Sequence, residues 1–152
     1  MRSLSLLALG LVLFLASPAL AASRVNTDFF GTAVEGTDVV AYFTQGEAVA
    51  GSRDYTHEWS GATWRFASAE HRDLFAANPE KYAPQYGGFC AYAVSQGATA
   101  GIDPEAWTIH EGRLYLNLNP AIQARWEKDI PGFIAKADGH WPRLSGGARG
   151  EN

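Results

Sequence analysis

The chain is 152 residues long, enough for one domain with its own core but not for two of ordinary size. With 47% hydrophobic, 12% aromatic and 18% charged residues it is too apolar for intrinsic disorder, and five Trp, six Tyr and eight Phe can fill a compact core. A formal net charge of −4 without a basic stripe argues against nucleic acid or an anionic membrane surface as a partner.

Met1-Arg2-Ser3 is a short, positively charged start, and Leu4 to Ala16 is an apolar run broken by Ser17-Pro18. Ala19-Leu20-Ala21 then supplies small residues at the positions a signal peptidase reads. The run is too short for a transmembrane helix, which needs about 20 residues. These features predict a signal peptide over 1–21, cleaved near Ala21, and a periplasmic or secreted chain with no integral membrane segment after cleavage. Loss of Arg2 leaves 11 basic and 16 acidic residues, a net charge of −5. Export leads to an oxidising compartment where disulfides are usual, yet Cys90 is alone. A lone exported cysteine is a buried small hydrophobe, an intermolecular partner or a functional thiol.

Residues 22–37 read as an irregular lead-in. Val39 to Thr44 is a continuous apolar run and reads as a buried strand. Tyr55 to Trp59 and Thr63 to Phe66 alternate around Ser60-Gly61, which predicts a β-hairpin over 54–67. Ser68 is placed to cap a helix over 69–77, on which His71 and Phe75 share a face. Asn78-Pro79 opens a further turn ending near Tyr82. Gly87-Gly88 precedes Phe89 to Val94, which reads as a helix with Cys90 in its first turn, closing at Gly97. Asp103-Pro104-Glu105 is a turn or helix-start signal. Trp107 to His110 and Leu114 to Asn117 flank Glu111-Gly112 as a second hairpin. A last helix starts at Pro120, with an apolar stripe of Ile122, Trp126 and Ile130, and is kinked or restarted at Pro131. Short hairpins mixed with short helices define a small α+β domain, followed by a Gly-rich, flexible tail over 143–152.

Asp38-Val39-Val40-Ala41-Tyr42, Tyr55-Thr56-His57, Gly61 to Ser68, Phe75 and Asn78-Pro79-Glu80-Lys81-Tyr82 follow the order and spacing of the YHS domain, which this segment resembles. Downstream, Tyr86 to Val94 and Trp126 to Gly132 are similar to a subgroup of exported YHS proteins, so the resemblance covers 38–142 with a C-terminal helical extension. YHS domains are found fused to copper-transporting ATPases and other metal-handling or oxygenase proteins, which implies a metal-related role. In the subgroup the position of Cys90 is at times a selenocysteine, which implies thiol or selenol chemistry there. The chain departs from the metal-binding version of the domain. The cysteine of that version's opening motif is replaced at or beside Val40, and the one before Ser68 is replaced by Ala67. A metal site would have to be rebuilt around Cys90 and histidines.

Cys90 is the first candidate for chemistry: behind a double glycine, in the first turn of a helix, a thiolate would meet unpaired N–H groups and the helix dipole. The competing reading is an inert, buried thiol. His57, between Tyr55 and Trp59 on one strand face, would be a metal ligand, a proton donor to Cys90, or a hydrogen-bonded core histidine. His71 is a weaker candidate on the outer face of its helix, and His110 and His140 are weaker still. One cysteine with one or two histidines suits a copper ion better than a closed structural zinc site. Three readings follow. In the first, Cys90, His57 and His71 bind a soft, copper-like ion. In the second, Cys90 alone works as a redox thiol, forming a sulfenic acid or a mixed disulfide with a partner thiol. In the third, the domain is a non-catalytic interaction module with Cys90 buried. A partner protein or a homodimer is compatible with all three.

Overall fold

The computed structural model describes residues 24–146; the signal peptide expected over 1–21 and the end of the tail lie outside them. The protein is a small α+β domain whose described residues form six helices and two antiparallel hairpins. In order these are α1 (Ala41–Thr44), β1 (Ser52–Trp59), β2 (Ala62–Phe66), α2 (Ala69–Ala77), α3 (Pro79–Tyr82), α4 (Ala91–Ser95), β3 (Trp107–His110), β4 (Arg113–Leu116), α5 (Pro120–Glu127) and α6 (Ile130–Leu144). No described helix is long and apolar enough to cross a membrane.

Both hairpins form where the turn residues predict. Ser60 (φ 51°) with Gly61 (φ 74°), and Glu111 (φ 49°) with Gly112 (φ 75°), adopt the paired left-handed conformation that matches the twist of the strands. The register sets Trp59 opposite Ala62, His57 opposite Trp64, and Trp107 opposite Leu116. Between Ser52 and Thr56 the first ladder shifts register. α2 starts after Ser68, whose hydroxyl accepts from His71 N at 3.1 Å. α5 and α6 start after Asn119 and Asp129, which accept from Ile122 N and Gly132 N. Three polar caps thus place three helix starts where local chemistry puts them.

Val39 to Thr44 is not a strand. Asp38 Oδ1 accepts from Val40 N at 3.0 Å and Ala41 N at 3.1 Å, closing a turn that runs into α1. The run is apolar because Val39, Val40, Ala41 and Tyr42 are all buried, and burial on every side looks the same in sequence for a short helix and a strand.

Two apolar clusters result. The larger joins Val39, Val40 and Tyr42 to Trp64 and Phe66 of β2, Phe75 of α2, Leu114 and Leu116 of β4, and Cys90. Phe75 is its hub, with Trp64 and Phe66 rings each 5.1 Å away. The smaller joins Tyr86, Phe89, Val94, Tyr115, Trp126 and Ala137 beneath α4, α5 and α6. The segment read as an irregular lead-in is tied into both. Asn26 N donates to Gly87 O at 2.8 Å, Asn26 Nδ2 donates to Gly88 O at 3.1 Å, and Ala33 N donates to Thr63 O at 2.9 Å.

Candidate functional site

Cys90 is the residue immediately before α4 rather than a member of its first turn. It follows Tyr86, Gly87 and Gly88, all with positive φ. A Cβ on Gly87 would collide with the Arg24 carbonyl, and one on Gly88 with the Val34 side chain. The double glycine therefore admits the protein's own N-terminal segment, not an approaching ligand. Of the two readings of the thiol, a tuned thiolate in a helix turn and a buried group, its placement follows the second. It is 1% exposed and belongs to the larger core cluster, because Cys90 turns inward where the chain enters α4.

One polar side chain meets that sulfur. Asn117 follows β4 directly and is fully buried, with its backbone held to the 103–106 loop: Asn117 N donates to Ala106 O and Asp103 N to Asn117 O, both at 2.9 Å. Asn117 Oδ1 accepts from Tyr92 N at 3.0 Å and from Cys90 Sγ at 3.5 Å. Tyr92 N–H can only donate, so it fixes which end of the amide faces α4. Asn117 Nδ2 is then left buried with no hydrogen-bond partner. Such an orphaned donor costs about 1–3 kcal/mol. The amide that meets the chain's single thiol thus keeps an unspent pair of N–H donors.

His71 lies on the buried face of α2 rather than the outer one, because it shares that face with Phe75. Its Nδ1 is 2.7 Å from Asp38 Oδ2, and its Nε2 is 3.2 Å from Thr44 Oγ1. The carboxylate accepts only, so Nδ1 carries the proton. Asp38 Oδ2 also accepts from Ala67 N at 2.9 Å. One carboxylate thereby joins the entry to α1, the end of β2 and the side of α2. To ligate a metal, His71 would have to give up Asp38 or Thr44. His57 is half-buried on β1, edge-on to Phe75 with centroids 6.1 Å apart, and its ring shows no hydrogen-bond partner among the described residues. Among the described residues no three histidine, cysteine or carboxylate side chains gather as a metal ion requires, so Cys90, His57 and His71 are not assembled into one ligand set. His110 stands at the tip of the second hairpin with Glu111 Oε1 4.0 Å away. Asp103 and Glu105 form the expected turn, Glu105 N donating to Asp103 Oδ1 at 2.9 Å.

Comparison with known proteins adds no relative: no family model, no curated protein and no solved structure matches the chain. The site has to be understood from its own chemistry. Two of its residues carried no role in the sequence. Asp38 had a usable signal, a carboxylate directly before an apolar run, which is a cap pattern. Asn117 had none, since its contact with Cys90 spans 27 residues.

Proposed function

We propose that the protein is exported to the periplasm as a YHS-type thiol module in which Cys90 undergoes reversible two-electron oxidation by small hydroperoxides. The observation that carries this reading is the buried, unpartnered Asn117 Nδ2 beside the chain's one thiol. In the step, Cys90 Sγ attacks one oxygen of the hydroperoxide while the thiol proton that it donates to Asn117 Oδ1 passes to the leaving oxygen. The S–O bond forms as the O–O bond breaks, and the leaving oxygen departs with a proton as water or an alcohol. Sulfur loses two electrons and the peroxide gains them. The sulfenic oxygen is an acceptor of the kind Asn117 Nδ2 lacks. A low-molecular-weight thiol then attacks the sulfenic sulfur, releasing water and forming a mixed disulfide that a second thiol resolves. The burial of Cys90 favours small oxidants over large electrophiles.

The test is intact-mass analysis of the mature chain treated with peroxide. Its one methionine is Met1, which leaves with the signal peptide, so an added oxygen has no methionine to occupy. The expected result is one oxygen on Cys90, removed by a thiol reductant. In Asn117→Ala the sulfenic form should decay about tenfold faster, the worth of one hydrogen bond to the oxidised sulfur. A thiol that stays unmodified until the protein unfolds contradicts the reading. Stoichiometric protection of Cys90 by Cu(I) would instead support the soft-metal alternative.

A further inference from the structure

An open cleft of about 200 Å³ is lined by Trp59, Trp64, Tyr86 and Trp141, together with Arg24 and Glu80. It lies between the two apolar clusters, since Trp64 belongs to the larger and Tyr86 to the smaller. The rings come as two pairs: Trp59 with Trp64 and Tyr86 with Trp141, each 5.9 Å between centroids. Trp64 Nε1 donates to Trp59 O at 3.1 Å, and the Tyr86 hydroxyl donates to Asp138 Oδ1 at 2.9 Å. These bonds fix one ring of each pair and occupy its donor, so the two rings offer a ligand their apolar surfaces. Tyr86 is held at φ 58°, a left-handed conformation that a bulky residue seldom adopts. Backbone strain of this kind collects at ligand sites.

The charges in the lining are of both signs. Arg24 and Glu80 are exposed, and the ion pairs among the described residues are Asp38–His71, Arg72–Asp73 and His110–Glu111, so neither is paired. The Arg24 guanidinium lies over the Phe89 ring, 4.8 Å from its centroid, and a stacked guanidinium keeps its N–H edge for a carboxylate. One cation, one anion and four aromatic rings match a ligand that itself carries both charges. The rings select the kind of cation. Aromatic faces attract a positive charge through their quadrupole. A primary ammonium brings three N–H donors that need acceptors, and the lining side chains supply one carboxylate, Glu80. A methylated ammonium needs no acceptor and packs its methyl groups on the rings. The volume falls below the about 300–1,000 Å³ of sites for drug-sized ligands, so the ligand is small. We propose that this cleft binds a small betaine-type zwitterion, its methylated ammonium against the indoles and Glu80 and its carboxylate on Arg24. Cys90 is not part of the lining, so this binding stands or falls independently of the thiol's chemistry.

The test is calorimetric titration of the mature chain with trimethylglycine, with tryptophan emission as a second readout because three indoles line the cleft. Two further probes separate the contributions. Tert-butylacetate has the same shape without the positive charge, and glycine has both charges without the methyl groups. The expected result is saturable one-to-one binding of trimethylglycine that shifts tryptophan emission, with each of the other probes weaker by about tenfold or more. Glu80→Gln and Arg24→Gln, both at exposed positions and so expected to keep the native circular dichroism, should each weaken binding about threefold or more. A dissociation constant above about 10 mM for trimethylglycine overturns the proposal. So does equal binding of tert-butylacetate or glycine, or an affinity that neither substitution changes.

Discussion

Asp38 ties three parts of the fold together: the entry to α1, the end of β2 and the side of α2. Its carboxylate is fully buried and takes three backbone N–H groups and the His71 imidazole. Asp38→Ala would orphan all of them at once. A loss of about 3–5 kcal/mol is expected, as for breaking a buried pair, and urea unfolding measures it; a loss below about 1 kcal/mol would show that the network is dispensable. The sequence placed Asp38 in a motif but could not pair it with His71, because the two are 33 residues apart and meet only after β1, β2 and α2 are packed. That His71 and Phe75 share a face was legible from their four-residue spacing, whereas the partner waiting on that face was not. Cys90 was legible as the chain's singular group, with burial as one of two readings that the residues alone left open. Its burial comes from packing in the larger cluster with residues far away in sequence, such as Val40 and Leu116, which no local pattern encodes.

At the scale of elements, legibility follows local chemistry. α2, α3, α5 and both hairpins fall where capping residues, prolines and turn pairs predict, since each signal acts within a few residues. The run from Val39 to Thr44 departs from that rule because the Asp38 carboxylate closes a turn just ahead of α1, and an all-apolar run carries no period to show it. The left-handed turn at Glu111 offers a direct check. Its φ of 49° precedes Gly112 at 75°, the geometry in which Asn-Gly is preferred. Glu111→Asn should stabilise the protein by about 0.5 kcal/mol, part of the left-handed cost for a residue like Glu, read as a rise in the urea midpoint. A fall would mean that the contact with His110 outweighs turn strain.

For the whole molecule, the fold class was accessible from the sequence and the joining of its two clusters was not. Burial raises the phenols of Tyr42, Tyr86 and Tyr115 above their ordinary value, and Tyr86 is raised further by its hydrogen bond to Asp138 at 2.9 Å. The unfolded chain would ionise them near pH 10. Their contribution to stability is therefore complete below about pH 10 and is lost as pH rises beyond it. In an alkaline titration, tyrosinate absorbance from these three rings should appear only together with the loss of circular dichroism. Full ionisation of a chain that keeps its native spectrum would contradict the packing described.

The central claim is that Cys90 is a closed but oxidisable thiol. The most direct measurement exposes the native, mature chain in parallel to hydrogen peroxide and to a bulky maleimide, and follows Cys90 by intact mass. The account predicts one thiol-reversible oxygen on the native protein, while the maleimide adds only after unfolding. A native protein that resists peroxide as fully as it resists the maleimide would make Cys90 a packing residue and Asn117 its structural neighbour, and the proposed redox function would fall.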